Sequence, residues 1–133
     1  MSKPIPKPTP ETQPFWEGCA NGELRLQHCQ DCGHIQFYPR ELCSACFSDK
    51  VTWQTASGRG TVRSWSEVTL PGAPGFEAEV PFVSALIALQ EGPTMLSVIR
   101  NCDATAVDFD MPVRVLFEAR DNMFIPYFEP DNP

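Results

Sequence analysis

The pattern that most restricts this chain is a pair of short cysteine motifs. Cys29-Gln30-Asp31-Cys32 and Cys43-Ser44-Ala45-Cys46 are two C-x2-C pairs separated by ten residues. Two intervening residues let both sulfurs of a pair point to one side, while the following N–H groups donate to the thiolates. Two such turns together supply a tetrahedral set of four sulfurs. Gly33 follows the first pair, where the turn favours a residue tolerant of positive φ. Phe47 holds that place in the second pair, which breaks the symmetry but leaves the ligand set intact. The loop between the pairs is shorter than the ~15–20 residues of the commonest ribbon spacing. The hairpin it forms must therefore be compact, with Pro39 and Arg40 at its bend. The expectation is one Zn2+ per chain, held by Cys29, Cys32, Cys43 and Cys46. Zinc is preferred over iron because nothing else in the chain points to electron transfer. Four protein ligands close such a site, so the metal is structural. It would supply much of the folding energy of a segment too small to hold itself together by burial.

Two cysteines remain of the six. Cys19 and Cys102 are isolated and read as small buried hydrophobes. His28 and His34 flank the first knuckle and read as surface or outer-sphere groups. Proline crowds the start of the chain, and Lys3-Pro4-Ile5-Pro6-Lys7-Pro8-Thr9-Pro10 cannot be helix interior. Residues 1–13 are expected to form an extended arm, and residues 14–56 a short helix and the metal ribbon. The helix spans Pro14 to Ala20, with Pro14 at its first turn and Gly22 at its end. Leu24 to His28 then alternates as a strand running into the first cysteine.

Residues 57–133 read differently. Thr61–Thr69, Phe82–Leu89, Met95–Ile99, Val113–Arg120 and Met123–Phe128 form five strand-like runs, the last two joined by the two-residue turn Asp121-Asn122. Their number and size fit a small closed antiparallel barrel such as an OB-fold, with a small sandwich as the alternative. The fold class is mostly β, with a short N-terminal helix.

Charge separates the halves as well. The chain carries a formal net charge of −7, and almost all of the acidic excess lies after Ser66. An acidic barrel is a poor partner for a phosphate backbone, which weighs against single-stranded nucleic acid. No run is long and apolar enough for a membrane span, and the proline-rich start lacks a signal-peptide core, so a cytoplasmic location is expected. There thiols stay reduced, which favours metal over disulfides. No Ser-His-Asp order, H-E-x-x-H, phosphate-binding glycine loop or G-x-S-x-G is present.

Two features are candidates for function. The long loop Leu70–Pro81 carries Phe76 at an apolar tip, where OB barrels often bind ligands. Should the ligand be polyanionic, local cations must offset the acidic field, and Arg40, Lys50, Arg59 and Arg63 lie in or beside the ribbon. The last strand is apolar on both faces. Met123, Ile125 and Tyr127 lie on one and Phe124 and Phe128 on the other, and Pro126 marks an edge strand. Its second face is expected to cover the helix or ribbon or to bind a partner, and partner binding is the reading preferred.

The order of these motifs resembles a bacterial and archaeal zinc-ribbon/OB-fold family, long catalogued as a domain of unknown function. The matching residues are Pro14-Phe15-Trp16-Glu17-Gly18, Gly22-Glu23-Leu24, Cys29-x-x-Cys32-Gly33 and Phe37-Tyr38-Pro39-Arg40-x-x-Cys43-x-x-Cys46. They continue with Gly58-x-Gly60, Pro81-Phe82, Glu91-Gly92-Pro93 and Pro126-x-Phe128. Asp110 departs from the pattern, standing where a glycine is expected before Met111-Pro112-Val113. The resemblance implies a rubredoxin-like zinc ribbon followed by an OB barrel, in a non-catalytic accessory subunit. The expected partner is a thiolase-like enzyme of the lipid-transfer-protein type in acyl-CoA, steroid or lipid metabolism. A stand-alone acyl-CoA-binding protein is the alternative.

Overall fold

The computed structural model describes residues 5–71 and 75–131. The arm turns at Thr9, whose carbonyl accepts the N–H groups of Thr12 at 3.0 Å and Gln13 at 2.8 Å. Pro10 and Glu11 border a groove with Gln27, Val51 and Trp53, so this stretch lies along the ribbon. The expectation for Met1–Pro4 falls outside the described residues.

Helix α1 spans Gln13–Ala20, with Pro14 in its first turn. Beyond it Gly22 takes a φ of 75°. Glu23 N–H then reaches the Gly18 carbonyl at 2.8 Å and Gly22 N–H the Cys19 carbonyl at 3.2 Å, a Schellman closure. Gly18 makes room for Arg25: a Cβ there would lie 2.7 Å from the arginine side chain. Arg25 uses that space to donate to the Pro14 carbonyl at 3.2 Å and to pair with Glu23 at 2.9 Å.

The ribbon is a three-stranded sheet of β1 (Arg25–Cys29), β2 (Ile35–Gln36) and β3 (Val51–Thr55), in the order β2-β1-β3. Strand β2 is only two residues long, so the chain that follows it cannot be held by a ladder. Two buried glutamines do that instead. Gln27 donates to the Arg40 carbonyl and accepts from the Arg40 N–H, both at 2.8 Å. Gln36 donates to Gln27 at 2.7 Å and accepts the Ser44 N–H at 2.8 Å. Buried amides satisfied in this way pin an irregular loop that has little apolar surface to bury.

The five remaining strands close into a barrel: β4 (Arg59–Val68), β5 (Phe82–Leu89), β6 (Thr94–Ile99), β7 (Pro112–Arg120) and β8 (Met123–Pro130), in the order β4-β5-β6-β8-β7. Closure comes from pairing Arg59, Gly60 and Thr61 of β4 with Arg114, Val113 and Pro112 of β7. The Gly58-x-Gly60 motif sits at this junction. Gly58 has a φ of 79°, and a side chain there would meet Val115 at 2.6 Å; one at Gly60 would meet the Ala88 carbonyl at the same distance. Asp110 adopts the left-handed conformation that a glycine would take there, with φ 61°. Its N–H reaches the Val62 carbonyl at 2.8 Å, so the turn is kept. Asp121 turns β7 into β8 with φ 54°.

The barrel core contains Val62, Val83, Ile87, Met95, Ile99, Val113 and Phe128, and it runs without a break into Phe15, Cys19, Leu24 and Leu26 of helix and ribbon. The inward alternation of β7 fades along the strand, from fully buried Val113 to exposed Ala119. The β7–β8 ladder continues to Arg120 and Met123, well beyond the last β4 partner.

One expectation is corrected here. Strand β8 is not an edge: it lies between β6 and β7. Pro126 is accommodated because its carbonyl faces β6 and accepts from Ser97 Oγ at 3.1 Å. In an extended strand the nitrogen of the same residue faces the same side. There β6 and β8 are paired only at Ile99 and Phe128, so the missing N–H leaves no ladder bond unmade.

Candidate metal centre and ribbon–barrel cavity

The four predicted cysteines converge. Their Sγ atoms all lie within 4.8 Å of one another, with Cys29–Cys46 and Cys32–Cys43 each at 3.6 Å. Zinc–sulfur bonds of about 2.3 Å in a tetrahedron place sulfurs about 3.8 Å apart, so the residues fit the ion. The knuckles form because Gly33 N–H bonds the Cys29 carbonyl at 3.0 Å and Phe47 N–H bonds the Cys43 carbonyl at 2.9 Å. Phe47 matches Gly33 in conformation, with φ 63° against 78°, although its side chain is 76% exposed. Backbone N–H groups of Cys32 and Ala45 point at the sulfurs of Cys29 and Cys43 at 3.5 and 3.4 Å.

The electrostatics suit a cation. The Cys32 backbone N–H draws the Cys29 thiol down to about 7. At Cys46 the Ser48 backbone favours the thiolate, but burial and the three crowding sulfurs outweigh it and push the thiol up to about 12. Four thiolates cannot share this volume without a positive charge among them. Zinc bound here supplies a cross-link between the two knuckles. His34 touches Ser44 at 3.2 Å and His28 touches Gln30 at 3.4 Å, so both histidines stay outside the sulfur cluster. Cys19 lies on the buried side of helix α1, and desolvation raises its thiol to about 12.

The predicted cations are dispersed. Lys50 pairs with Asp31 at 3.9 Å beside the knuckles, and Arg59 with Asp131 at 3.7 Å at the barrel junction. Arg40 borders the groove under the arm, and exposed Arg63 sits where β4 bulges. Phe76 packs against Phe82 at 6.1 Å and beneath the Arg120 guanidinium at 5.5 Å, and the residue is half-buried.

The apolar last strand is divided. Phe128 is sealed in the barrel core, and Ile125 and Tyr127 are buried within this chain; these are withdrawn as surface contacts. Phe124 is exposed and Met123 half-buried. The second apolar face meets helix and ribbon because the barrel needs a cover where β6 and β8 part.

That cover is incomplete, and it leaves a feature the sequence reading missed. A cavity of about 490 Å³ lies between helix, ribbon and barrel. Phe15, Trp16 and Phe37 wall one side, and Met95, Leu96, Val98, Ile125 and Tyr127 the other. At its mouth the hydroxyl of Tyr38 accepts the Leu96 N–H at 3.1 Å. Among the described residues, none of the four predicted cations and no acidic group lines it. The sequence signal was present in Phe37-Tyr38 and the doubly apolar Met123–Phe128, but it gave no means of pairing the two.

Comparison with known proteins agrees with this architecture. Residues 16–52 match the family model for the ChsH2 rubredoxin-like zinc ribbon domain, and residues 53–118 that for the ChsH2 C-terminal OB-fold domain. The chain belongs to the DUF35 zinc-ribbon/OB-fold family. It is 36% identical over 129 residues to the 3-oxo-4,17-pregnadiene-20-carboxyl-CoA hydratase alpha subunit of Mycobacterium tuberculosis, covering 95% of this chain but 40% of that one. It is 35% identical over 92 residues to a DUF35 domain-containing scaffold protein of Methanocaldococcus jannaschii, covering 67% of this chain and 63% of the relative. The chain thus spans well under half of the hydratase subunit. Among solved structures it superposes on a chain of the Ltp2-ChsH2(DUF35) aldolase with a TM-score of 0.85 and 26% identity, covering 95% of this chain and 98% of that one. A DUF35-family protein of unknown function from Sulfolobus solfataricus shares the fold at a TM-score of 0.66 and 18% identity, covering 92% of this chain and 86% of that one.

Proposed function

We propose that this chain is a non-catalytic accessory subunit that docks on a thiolase-superfamily enzyme of the lipid-transfer-protein type, acting on acyl-CoA or steroid–CoA substrates. The observation that carries this reading is the superposition on the aldolase chain, which takes in nearly the whole of both molecules. The chemistry of the site agrees with it. Four cysteine ligands leave zinc no open position, and among the described residues the large cavity offers no carboxylate, imidazole or thiol to move a proton. Exposed Phe124, Leu86 and Leu96 give the barrel apolar surface for a protein contact.

The test is co-expression with the lipid-transfer-protein-type thiolase or aldolase of the same organism, followed by size-exclusion chromatography and assay. We expect co-elution, and an enzyme less soluble or less active when produced alone. A chain that stays apart from an enzyme fully active and stable by itself overturns the reading.

A further inference from the structure

One stretch of the barrel's outer surface is apolar as well as its core. On β4, β5 and β6 the ladders set Ser64 opposite Leu86 and Leu86 opposite Leu96, and the next row is Ser66, Ser84 and Val98. Residues opposite one another in paired strands share a face, and Val62, Ile87 and Met95 fill the core on the other side. Leu86 is 41% and Leu96 56% exposed. A single leucine in solvent is ordinary, but two directly opposite each other make a patch. The serines beside them are short, which leaves a depression of about 230 Å³ that Trp65 also lines.

Neither row holds an ionised group, although the chain carries a net charge of −7 and nearly all of its acidic excess lies in this half. One cation stands at the border. Arg63 is the residue that the β4 bulge inserts between Val62 and Ser64, and it is exposed. Bulges re-aim a side chain. Among the described residues, Arg59, Arg100 and Arg114 of the barrel each meet a carboxylate, and Arg120 meets the Tyr127 hydroxyl. Arg63 is the barrel arginine left without an acceptor among them.

We propose that this face, with Arg63 at its edge, is where the chain docks on its partner enzyme, and that the partner presents an apolar surface bearing a carboxylate. The inference rests on the accessory-subunit reading and gives that contact a place and a chemistry. Apolar side chains of the partner seat between the two leucines and the serines, and the carboxylate pairs with Arg63. Three strands about 4.8 Å apart, over about 20 Å of their length, make a face of roughly 300 Å². A standard contact takes about 800 Å² from each partner. The two rows are therefore its centre. Tyr38, 53% exposed and accepting the Leu96 N–H through its hydroxyl, extends it onto the ribbon. A second copy of this chain does not suit the site. An isologous contact would set one acid-free face on another, leave both Arg63 side chains unpaired and bring two charges of −7 together.

Co-expression with the lipid-transfer-protein-type enzyme of the same organism, followed by size-exclusion chromatography and titration of the purified chains, tests this. Leu86→Glu is expected to weaken the complex roughly a hundredfold, because it buries a carboxylate without a partner. Arg63→Glu, at an exposed position outside the core, should weaken it about tenfold, and the loss should shrink in about 0.5 M salt. Leu42→Glu, at a ribbon leucine of like exposure (43%), should leave affinity unchanged. Wild-type affinity in both Leu86→Glu and Arg63→Glu overturns the proposal while the docking reading stands. So does a loss of binding confined to Leu42→Glu. Failure of the unaltered chain to co-elute overturns the docking reading, and this site with it. A chain that dimerises by itself, and turns monomeric with Leu86→Glu, assigns the face to a second copy and also overturns the proposal.

Discussion

The zinc knuckles and the barrel solve the same problem with opposite means. From Cys29 to Lys50 the ribbon has one strand of two residues, exposed knuckle tips, and order imposed by sulfur ligands and two buried glutamines. The barrel has five paired strands around apolar residues that are almost wholly buried. The base of the ribbon belongs with the barrel in this respect, since Leu24 and Leu26 share its apolar cluster. The difference teaches where each region is vulnerable. Polar, ligand-held structure fails when a ligand is lost, and apolar structure fails when volume is lost.

Removing zinc separates the two regions most sharply. Apparent affinities of ~10–16 kcal/mol for structural zinc exceed anything else that could hold the knuckles. Chelation, or Cys43→Ser, is expected to erase the amide dispersion of residues 29–50 in NMR spectra while the barrel signals persist. Collapse of both sets would show that the cavity wall is essential to the barrel. The pH sense follows from the thiols. The Cys32 backbone lowers Cys29 to about 7, while crowding raises Cys46 to about 12. Zinc uptake therefore releases protons, and retention falls as pH drops.

Phe128→Ala is the reciprocal experiment. The side chain is fully buried, so its loss should cost about 3–5 kcal/mol, a large part of a typical domain's stability. Urea titration should show the barrel transition moved to lower denaturant, with zinc still bound at concentrations below it. An unchanged midpoint would mean that the seam closes over the gap.

The smallest effect has the opposite sign. Phe47 occupies a left-handed turn with its ring in solvent. Phe47→Gly relieves about 1–2 kcal/mol of backbone cost against about 0.5–1 kcal/mol of added chain entropy. A slight rise in the melting temperature of the zinc-loaded protein is expected, and a fall would show that the exposed ring makes a contact worth keeping.

Asp110 and Phe47 show how much can be read without coordinates. Both stand where a glycine is expected, and both take the glycine's φ, because the turn is dictated by its flanking hydrogen bonds and not by the residue alone. The metal site was legible for a similar reason. Its ligands lie within short motifs, and C-x2-C spacing determines locally where each sulfur points. Strand identities in the barrel were legible from alternation and apolar runs, since those patterns follow from burying a face. The buried pair Gln27 and Gln36 was not, because a glutamine in a strand has no local mark that distinguishes a surface amide from a network.

What the amino-acid sequence determined by itself was therefore the four-sulfur site, the helix, the five barrel strands and the acidic character of the second half. Tertiary structure alone decided that β8 enters between β6 and β7, that Phe128 is core, and that the four candidate cations lie apart. It also decided that Phe15, Phe37, Leu96 and Ile125, scattered along the chain, face one another across an apolar cavity. Local spacing governs chemistry within a turn or a strand. Which elements meet is settled only when all their apolar faces compete for burial at once.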